Sequence, residues 1–190
     1  YNYSHWQNEH HMDLYRSIAS GGSASTFNEA QDGKFHSDYH GIKAGMDYSI
    51  NEHHTVGVQL NSSFNQWTST SFTHTEIGIN DKIDSILETN SIDDSKWNRW
   101  AYNLNYKGEL DTSGQTLAVD LDYATNSHTQ PSHIYANTFD QTGKHFQSGD
   151  TTRSFQPSQI DIKTAKVDYT LPLKNNVKLE AGIKLSYVKT

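Results

Sequence analysis

The sequence has no cysteine, so disulfides and thiolate metal sites are absent and bridges say nothing about redox compartment. No run approaches the roughly 18 to 20 consecutive apolar residues that a spanning helix needs, and no apolar stretch opens the chain. Neither a transmembrane helix nor an intact signal peptide is therefore expected. Charge is sparse: 19% of residues are charged, 22 acids against 15 bases, for a formal net charge of −7. A chain without a basic face is a poor partner for phosphate backbones, and nucleic acid is excluded as a partner on that ground. Hydrophobic residues are scarce, at 33% with a mean hydropathy of −0.81. Aromatics are not scarce: they make up 12% of the chain, with 11 tyrosines. Disordered chains usually lose their aromatics and carry denser net charge, so disorder throughout is not expected. The chain opens on Tyr1 and stops inside a strand pattern at Tyr187-Val188-Lys189-Thr190, and it reads as an excerpt.

The dominant pattern is a period of two. Ile42, Ala44, Met46, Tyr48 and Ile50 alternate with Lys43, Gly45, Asp47 and Ser49, and after Asn51-Glu52-His53-His54 the alternation resumes through Val56, Val58, Leu60 and Phe64. Ser62 is the one polar lapse. A strand, a short turn and a second strand with one wet face read as a hairpin. The arrangement repeats twice. Trp100, Tyr102, Leu104 and Tyr106 lead to Asp111-Thr112-Ser113-Gly114, then Leu117, Val119, Leu121 and Tyr123. Ala165, Val167, Tyr169 and Leu171 lead to Pro172-Leu173-Lys174-Asn175-Asn176, then Val177, Leu179, Ala181, Ile183, Leu185 and Tyr187. A seventh strand over Tyr1 to Leu14 alternates poorly, because Trp6 falls out of phase.

The other connections, Ser17 to Lys34, Thr68 to Lys96 and Asn126 to Pro157, are long and polar, and they read as loops. Compact soluble domains rarely hold unstructured loops above about 12–15 residues. Short turns alternating with long polar connections are the pattern of a transmembrane β-barrel, in which strands of about ten residues cross an apolar band roughly 25 Å tall. The expected strands, about 11 to 16 residues long, would cross that band. Tyr48, Tyr106 and Tyr169 sit just before the three short turns and form a candidate inner aromatic girdle. Trp67, Trp97, Trp100, Tyr123 and Tyr187 lie towards the opposite ends and form a candidate outer one. The expected lipid-facing residues are Ile42, Met46, Val56, Val58, Leu60, Leu104, Val119, Leu121, Val167, Ile183 and Leu185. The inward set, Lys43, Asp47, Arg99, Lys107, Asp120, Asp122, Glu180 and Lys184, is mixed in sign.

The segments Ala44-Gly45-Met46-Asp47-Tyr48-Ser49-Ile50, Thr55-Val56-Gly57-Val58, Leu104-Asn105-Tyr106, Leu121-Asp122-Tyr123, Val167-Asp168-Tyr169 and Leu179-Glu180-Ala181-Gly182-Ile183-Lys184 resemble the barrel portion of TonB-dependent outer membrane receptors. The nearest resemblance is to the outer membrane protein beta-barrel family common in Bacteroidetes, over roughly residues 35 to 190 and also the first fourteen. It implies a bacterial outer membrane receptor with a barrel of about 22 strands, taking up a siderophore, metal complex, glycan or peptide. Its implied partners are outer membrane lipid, the TonB complex through N-terminal parts, and a surface lipoprotein. No TonB box, plug domain or terminal aromatic strand end occurs in these residues, and an odd count of seven strands would leave an open sheet. The whole chain, 1–190, is expected to be one partial barrel domain.

Eleven histidines raise the question of a metal. His10, His11, His36 and His40 are the candidates near the outer rim, since imidazoles suit zinc, copper or nickel. Without carboxylate or cysteine at repeating ligand spacing, solvated surface histidines are the preferred reading, and neither metal nor cofactor is expected. Glu76, Asp81, Asp84, Glu88, Asp93 and Asp94 make one connection acidic but lack the ligand order of a calcium loop. No Gly-x-Ser-x-Gly, His-Glu-x-x-His or phosphate-cradling glycine loop is present, and the chain is not expected to be an enzyme. The expected fold is an all-β, antiparallel up-and-down meander of about seven strands with short periplasmic turns and long extracellular loops. One alternative is a soluble β-sandwich or adhesin-like domain, in which Met46, Val58, Leu104, Val119, Val167 and Ile183 would interdigitate between two sheets. Another is a plugless porin or assembly barrel.

Overall fold

A computed structural model describes all residues except Asp81 and Asn176, and the side chains of all others except Ser20, Gln147 and Ser148. Asp81 of the acidic connection and Asn176 of the third short turn thus lie outside the described residues. The chain forms β1 (Asn2–Ser20), β2 (Ser23–Asn51), β3 (His54–Ile79), β4 (Lys82–Glu109), β5 (Thr116–Thr129), β6 (Pro131–Asp140), β7 (His145–Phe155), β8 (Ser158–Pro172) and β9 (Lys178–Lys189). All nine belong to one sheet, antiparallel throughout, with a main path β1-β2-β3-β4-β5-β8-β9.

β4 is long enough to pair twice. Lys96–Glu109 pairs with β5, and Ser85–Asp93 pairs with β6. β5 and β6 are therefore one line of chain interrupted at Gln130, and β7 and β8 are another interrupted at Gln156-Pro157. Proline has no N–H to give to a ladder, which is why Pro131 and Pro157 mark these breaks. The sheet is thus a meander of seven continuous lines of chain, the number the alternation implied, including the poorly alternating first.

The long connections are a correction to the sequence reading. Ser17 to Lys34 and Thr68 to Lys96 are the paired ends of β1/β2 and β3/β4, and Asn126 to Pro157 contains β6 and β7. Lines of 29, 26 and 28 residues in β2, β3 and β4 replace the shorter strands expected. These outer segments form strands in which polar residues interrupt the apolar positions of either face, so period two leaves little hydropathy signal. The turns reveal them instead. Ser20 pairs with Ser23 across Gly21-Gly22, whose φ of +58° and +87° are the positive values a two-residue primed turn needs at both positions. Two further tips share one device. Asp111 and Asp140 each accept backbone N–H bonds from the residues two and four positions on, at 2.8–3.1 Å, closing Asp111–Gln115 at an inner end and Asp140–Lys144 at an outer one. Those bonds, with the Ser113 and Thr142 hydroxyls contributing most, hold both carboxyls below the usual aspartate range.

No hydrophobic residue is buried among the described residues. The accessible surface is 13293 Å² for 21.5 kDa, whereas a compact monomer of that mass exposes about 9,200 Å². Met46, Ile183 and Leu185 are 67%, 61% and 65% exposed. Among the described residues one layer forms and no second sheet covers its apolar face, so these residues do not by themselves build the β-sandwich of the alternative reading. The sheet is also open: β1 and β9 each pair on one side only.

Candidate functional site: a two-faced wall and its rim

Since side chains alternate along a strand, the registers assign every position to a face. One row runs Tyr48–Val56–Tyr106–Val119–Val167–Ile183, and the next runs Met46–Val58–Leu104–Leu121–Ala165–Leu185. All eleven residues expected to meet lipid share this face. Its opposite face carries Lys43, Asp47, Arg99, Lys107, Asp120, Asp122, Glu180 and Lys184, and there Lys166 pairs with Asp168 at 2.5 Å.

Aromatic rings bound the apolar face. At the short-turn end, the Tyr106 hydroxyl bonds to His54 Nδ1 at 2.7 Å, and the Tyr169 hydroxyl donates to Gln115 Oε1 at 2.8 Å. Both rings thus lie on the apolar face with their polar tips aimed at the turns, and Tyr48 shares the Tyr106 row. Gly108 leaves room beside them, since a Cβ there would displace the Tyr106 hydroxyl and the His54 ring. At the other end Phe64 meets Trp100 edge-on at 5.2 Å, Trp100 stacks on Tyr102 at 6.3 Å, and Tyr102 stacks on Tyr123 at 6.2 Å. Lys163 stands between Tyr123 and Tyr187 in the same row. The sequence reading named Trp100, Tyr123 and Tyr187 here but missed Phe64 and Tyr102, which were visible as the apolar neighbours of Trp100 at period two. Ser62, the polar lapse, is 1% exposed beside Trp100 and donates to the Arg99 carbonyl at 3.0 Å. Its hydroxyl is paired, so its place on the apolar face carries no orphaned donor.

Trp67 and Trp97 are corrections. Trp67 pairs with Ser37 and Ser95, and Trp97 with Asn65, which places both on the opposite face from Trp100. The odd step between Phe64 and Trp67 is the cause. Trp67 instead meets Phe35 at 5.5 Å, and Phe35 meets Trp6 at 5.2 Å, forming an aromatic row on the face that is wet lower down.

The histidines also sort by face. His10 lies over Gly33, away from the face of the other three candidates. His11 bonds Asp32 at 2.7 Å and Asp13 at 3.2 Å, and these carboxylates, Asp32 foremost, raise its imidazole above the ordinary histidine value. His40 accepts or donates through Nδ1 with the Tyr1 hydroxyl at 2.8 Å and packs on Tyr3. The four candidates therefore do not converge. The group that does converge is His5, His36 and Asp38, whose donor atoms lie within 4.8 Å of one another. Its signal in the sequence was His36-Ser37-Asp38, two donors one residue apart on one strand face. Among the described residues the acidic connection does not converge: Glu76 accepts from Asn28, Glu88 meets His74, Asp94 accepts from Thr68, and Asp93 from Ser91.

The geometry defines a class: a single-layer antiparallel wall with one apolar face bounded by aromatics and one wet face. The family comparison agrees with that class. The sequence profile of the Outer membrane protein beta-barrel family matches residues 108–190, less than half of the chain. The match supports an outer-membrane β-barrel-like fold and a membrane-associated location. No curated protein matches the sequence. Among solved structures, the outer membrane transporter YddB from Escherichia coli aligns over 97% of this chain and 34% of its own, at 8% identity and a TM-score of 0.26. That likeness is too low to carry an argument, and the chain spans about a third of that transporter's length.

Proposed function

We propose that residues 1–190 are a section of the wall of a transmembrane β-barrel in a bacterial outer membrane, part of a TonB-dependent receptor-like protein that takes up a nutrient such as a siderophore, metal complex, glycan or peptide. The observation that carries the reading is the bounded apolar face. A row of large apolar side chains in open contact with water on a protein of this size would be an aggregation surface, and lipid is the solvent that suits it. The stagger of the turns agrees. The short turns close on Asn51–His54 between β2 and β3, on Glu109–Thr116 between β4 and β5, and on Pro172–Lys178 between β8 and β9, and relative to the row through Tyr48, Tyr106 and Val167 each stands farther along the strand direction than the one before. Tilted strands in a barrel require such a shear.

The unpaired edges of β1 and β9 set the requirement for closure, since each unsatisfied backbone group in lipid costs several kcal/mol. Further strands complete the barrel, the TonB complex acts through N-terminal parts, and a surface lipoprotein is a partner on the outer side. The wet face, mixed in sign, suits a plugged or water-filled lumen. Energised uptake is tested in cells: accumulation of a labelled nutrient should need the gene for this protein and collapse when an uncoupler removes the proton-motive force. Gene-dependent accumulation that persists with the uncoupler present would identify a passive porin and contradict the receptor reading.

A further inference from the structure

Ascending β2 from the short-turn end, the apolar face ends at Ile42. Asp38, ten residues from Tyr48, stands about 34 Å farther along the strand, about 26 Å along the normal at a tilt near 40°, and so beyond a band of about 25 Å. On that same face His5 pairs directly across from Asp38, and His36 lies one alternation further along β2. A cross-strand pair brings two Cβ atoms to about 4.5–5.5 Å, and an i, i+2 neighbour adds a third side chain on the same side. The result is a three-donor corner built by two strands. His5 Nδ1 is 2.9 Å from Asp38 Oδ1, and His36 Nε2 is 2.7 Å from Asp38 Oδ2, so both imidazoles already aim a nitrogen at one carboxylate. The two rings meet edge-on at 4.7 Å. Tyr3, two residues from His5, donates its hydroxyl to Asp38 Oδ1 at 2.7 Å and orients the carboxylate from outside the corner.

We propose that His5, His36 and Asp38 form a binding site for one divalent first-row transition-metal ion, with zinc as the fitting probe, which fastens β1 to β2 at the outer rim of the apolar band. Two imidazoles and one carboxylate suit zinc, copper or nickel, whereas calcium and magnesium take mainly oxygen donors. The ion takes the place of the two N–H···O bonds: His5 Nδ1 and His36 Nε2 each give up the proton now aimed at Asp38, by way of water, and each imidazole binds as the neutral tautomer protonated on its other nitrogen. Water completes the coordination, since the corner is exposed and supplies three protein ligands. The site stands on the same face as the lipid-facing residues, outside the wall, so it is separate from any passage through the lumen. Its effect falls on β1, which pairs only with β2.

The test is calorimetric titration of Zn²⁺ alone into the intact, chelator-stripped protein in detergent micelles, alongside amide hydrogen exchange. One ion per chain is expected, with affinity reduced at least about tenfold by His5→Ala or His36→Ala and unchanged by His10→Ala or His53→Ala. Zinc should also slow exchange of the β1 amides around His5 in the wild type and not in His5→Ala. If an alanine variant fails to fold, His5→Gln and Asp38→Asn give the same comparison while keeping a hydrogen-bonding side chain. Absence of saturable zinc binding, or binding equally strong in the His5 and His36 variants, overturns the proposal.

Discussion

The inner and outer halves of this sheet share strands, ladder and register, yet they use their faces in opposite ways. In the inner half, Met46, Val58, Leu104 and Leu121 occupy one face and Lys43, Gln59, Asn103 and Asp122 the other. In the outer half, the first face carries His5, His36, Asp38, Glu9, Lys34 and Asp32, while Trp6, Phe35 and Trp67 move to the second. The changeover lies within a few residues of His40 and Phe64. A backbone ladder is indifferent to which face is apolar, so the changeover is carried by the side chains alone. On the proposed barrel reading it marks the passage from lipid to water around the outside of the wall, and the rings above it stand on the side that would continue the lumen.

Substitutions can break this comparison, and the largest effect belongs to the inner half. Leu104→Arg places a charge near the middle of the apolar band and should destabilise the folded protein in bilayers by about 2–4 kcal/mol. Its neighbour Asn103→Arg, on the wet face, should stay within about 0.5 kcal/mol. Equilibrium unfolding in lipid vesicles compares the two, and equal costs would erase the distinction between faces. Next comes the outermost tip. Gly22→Val puts a branched residue at φ +87° and should cost about 1–2 kcal/mol, with faster hydrogen exchange confined to the ends of β1 and β2. Exchange accelerating equally in the inner half would show that the two halves are one cooperative unit.

A smaller effect is expected at the inner girdle. Gly108→Ala should push the Tyr106 hydroxyl from His54 and cost about 1 kcal/mol, whereas Tyr106→Phe combined with it should recover part of the loss by removing the displaced hydroxyl. The smallest effect is electrostatic and lies in the outer half. The carboxylates of Asp32 and Asp13 raise the His11 imidazole above its usual value. The stability it contributes is therefore complete below about pH 6.5 and fades as pH rises through the higher folded value. An NMR titration of the His11 ring should show that elevation, and Asp32→Asn should lower it. An unchanged titration in that variant would remove Asp32 as the cause.

The inner half was legible because its apolar stripe falls on alternate residues, which is what period-two reading detects. The three short turns and the shared face of the eleven apolar residues and of Tyr48, Tyr106 and Tyr169 followed from it. The outer half was not legible by the same means. Thr68, Thr70, Thr73 and Thr75 are good strand formers, but they look like loop residues to a hydropathy pattern, and Gly21-Gly22 was the clearer sign of a hairpin. Trp67 was misplaced by its nearness to Phe64 in sequence, although three residues along a strand reverse the face. The four histidine candidates fail to converge for a related reason: His10 and His11 are adjacent and so point apart, while His5 and Asp38 meet only through a pairing of β1 with β2 that poor alternation concealed.

Tryptophan fluorescence tests the reversal of faces most directly, because the chain has only four tryptophans and the registers divide them. Trp100 lies on the apolar face at its outer boundary, and Trp6, Trp67 and Trp97 lie on the other. With the intact protein in vesicles of lipid brominated near the headgroups, Trp100→Phe should remove a share of the quenching by the bromines, while Trp67→Phe and Trp97→Phe should remove none. Quenching that is unchanged by the loss of Trp100 and falls with the loss of Trp67 or Trp97 would contradict the account.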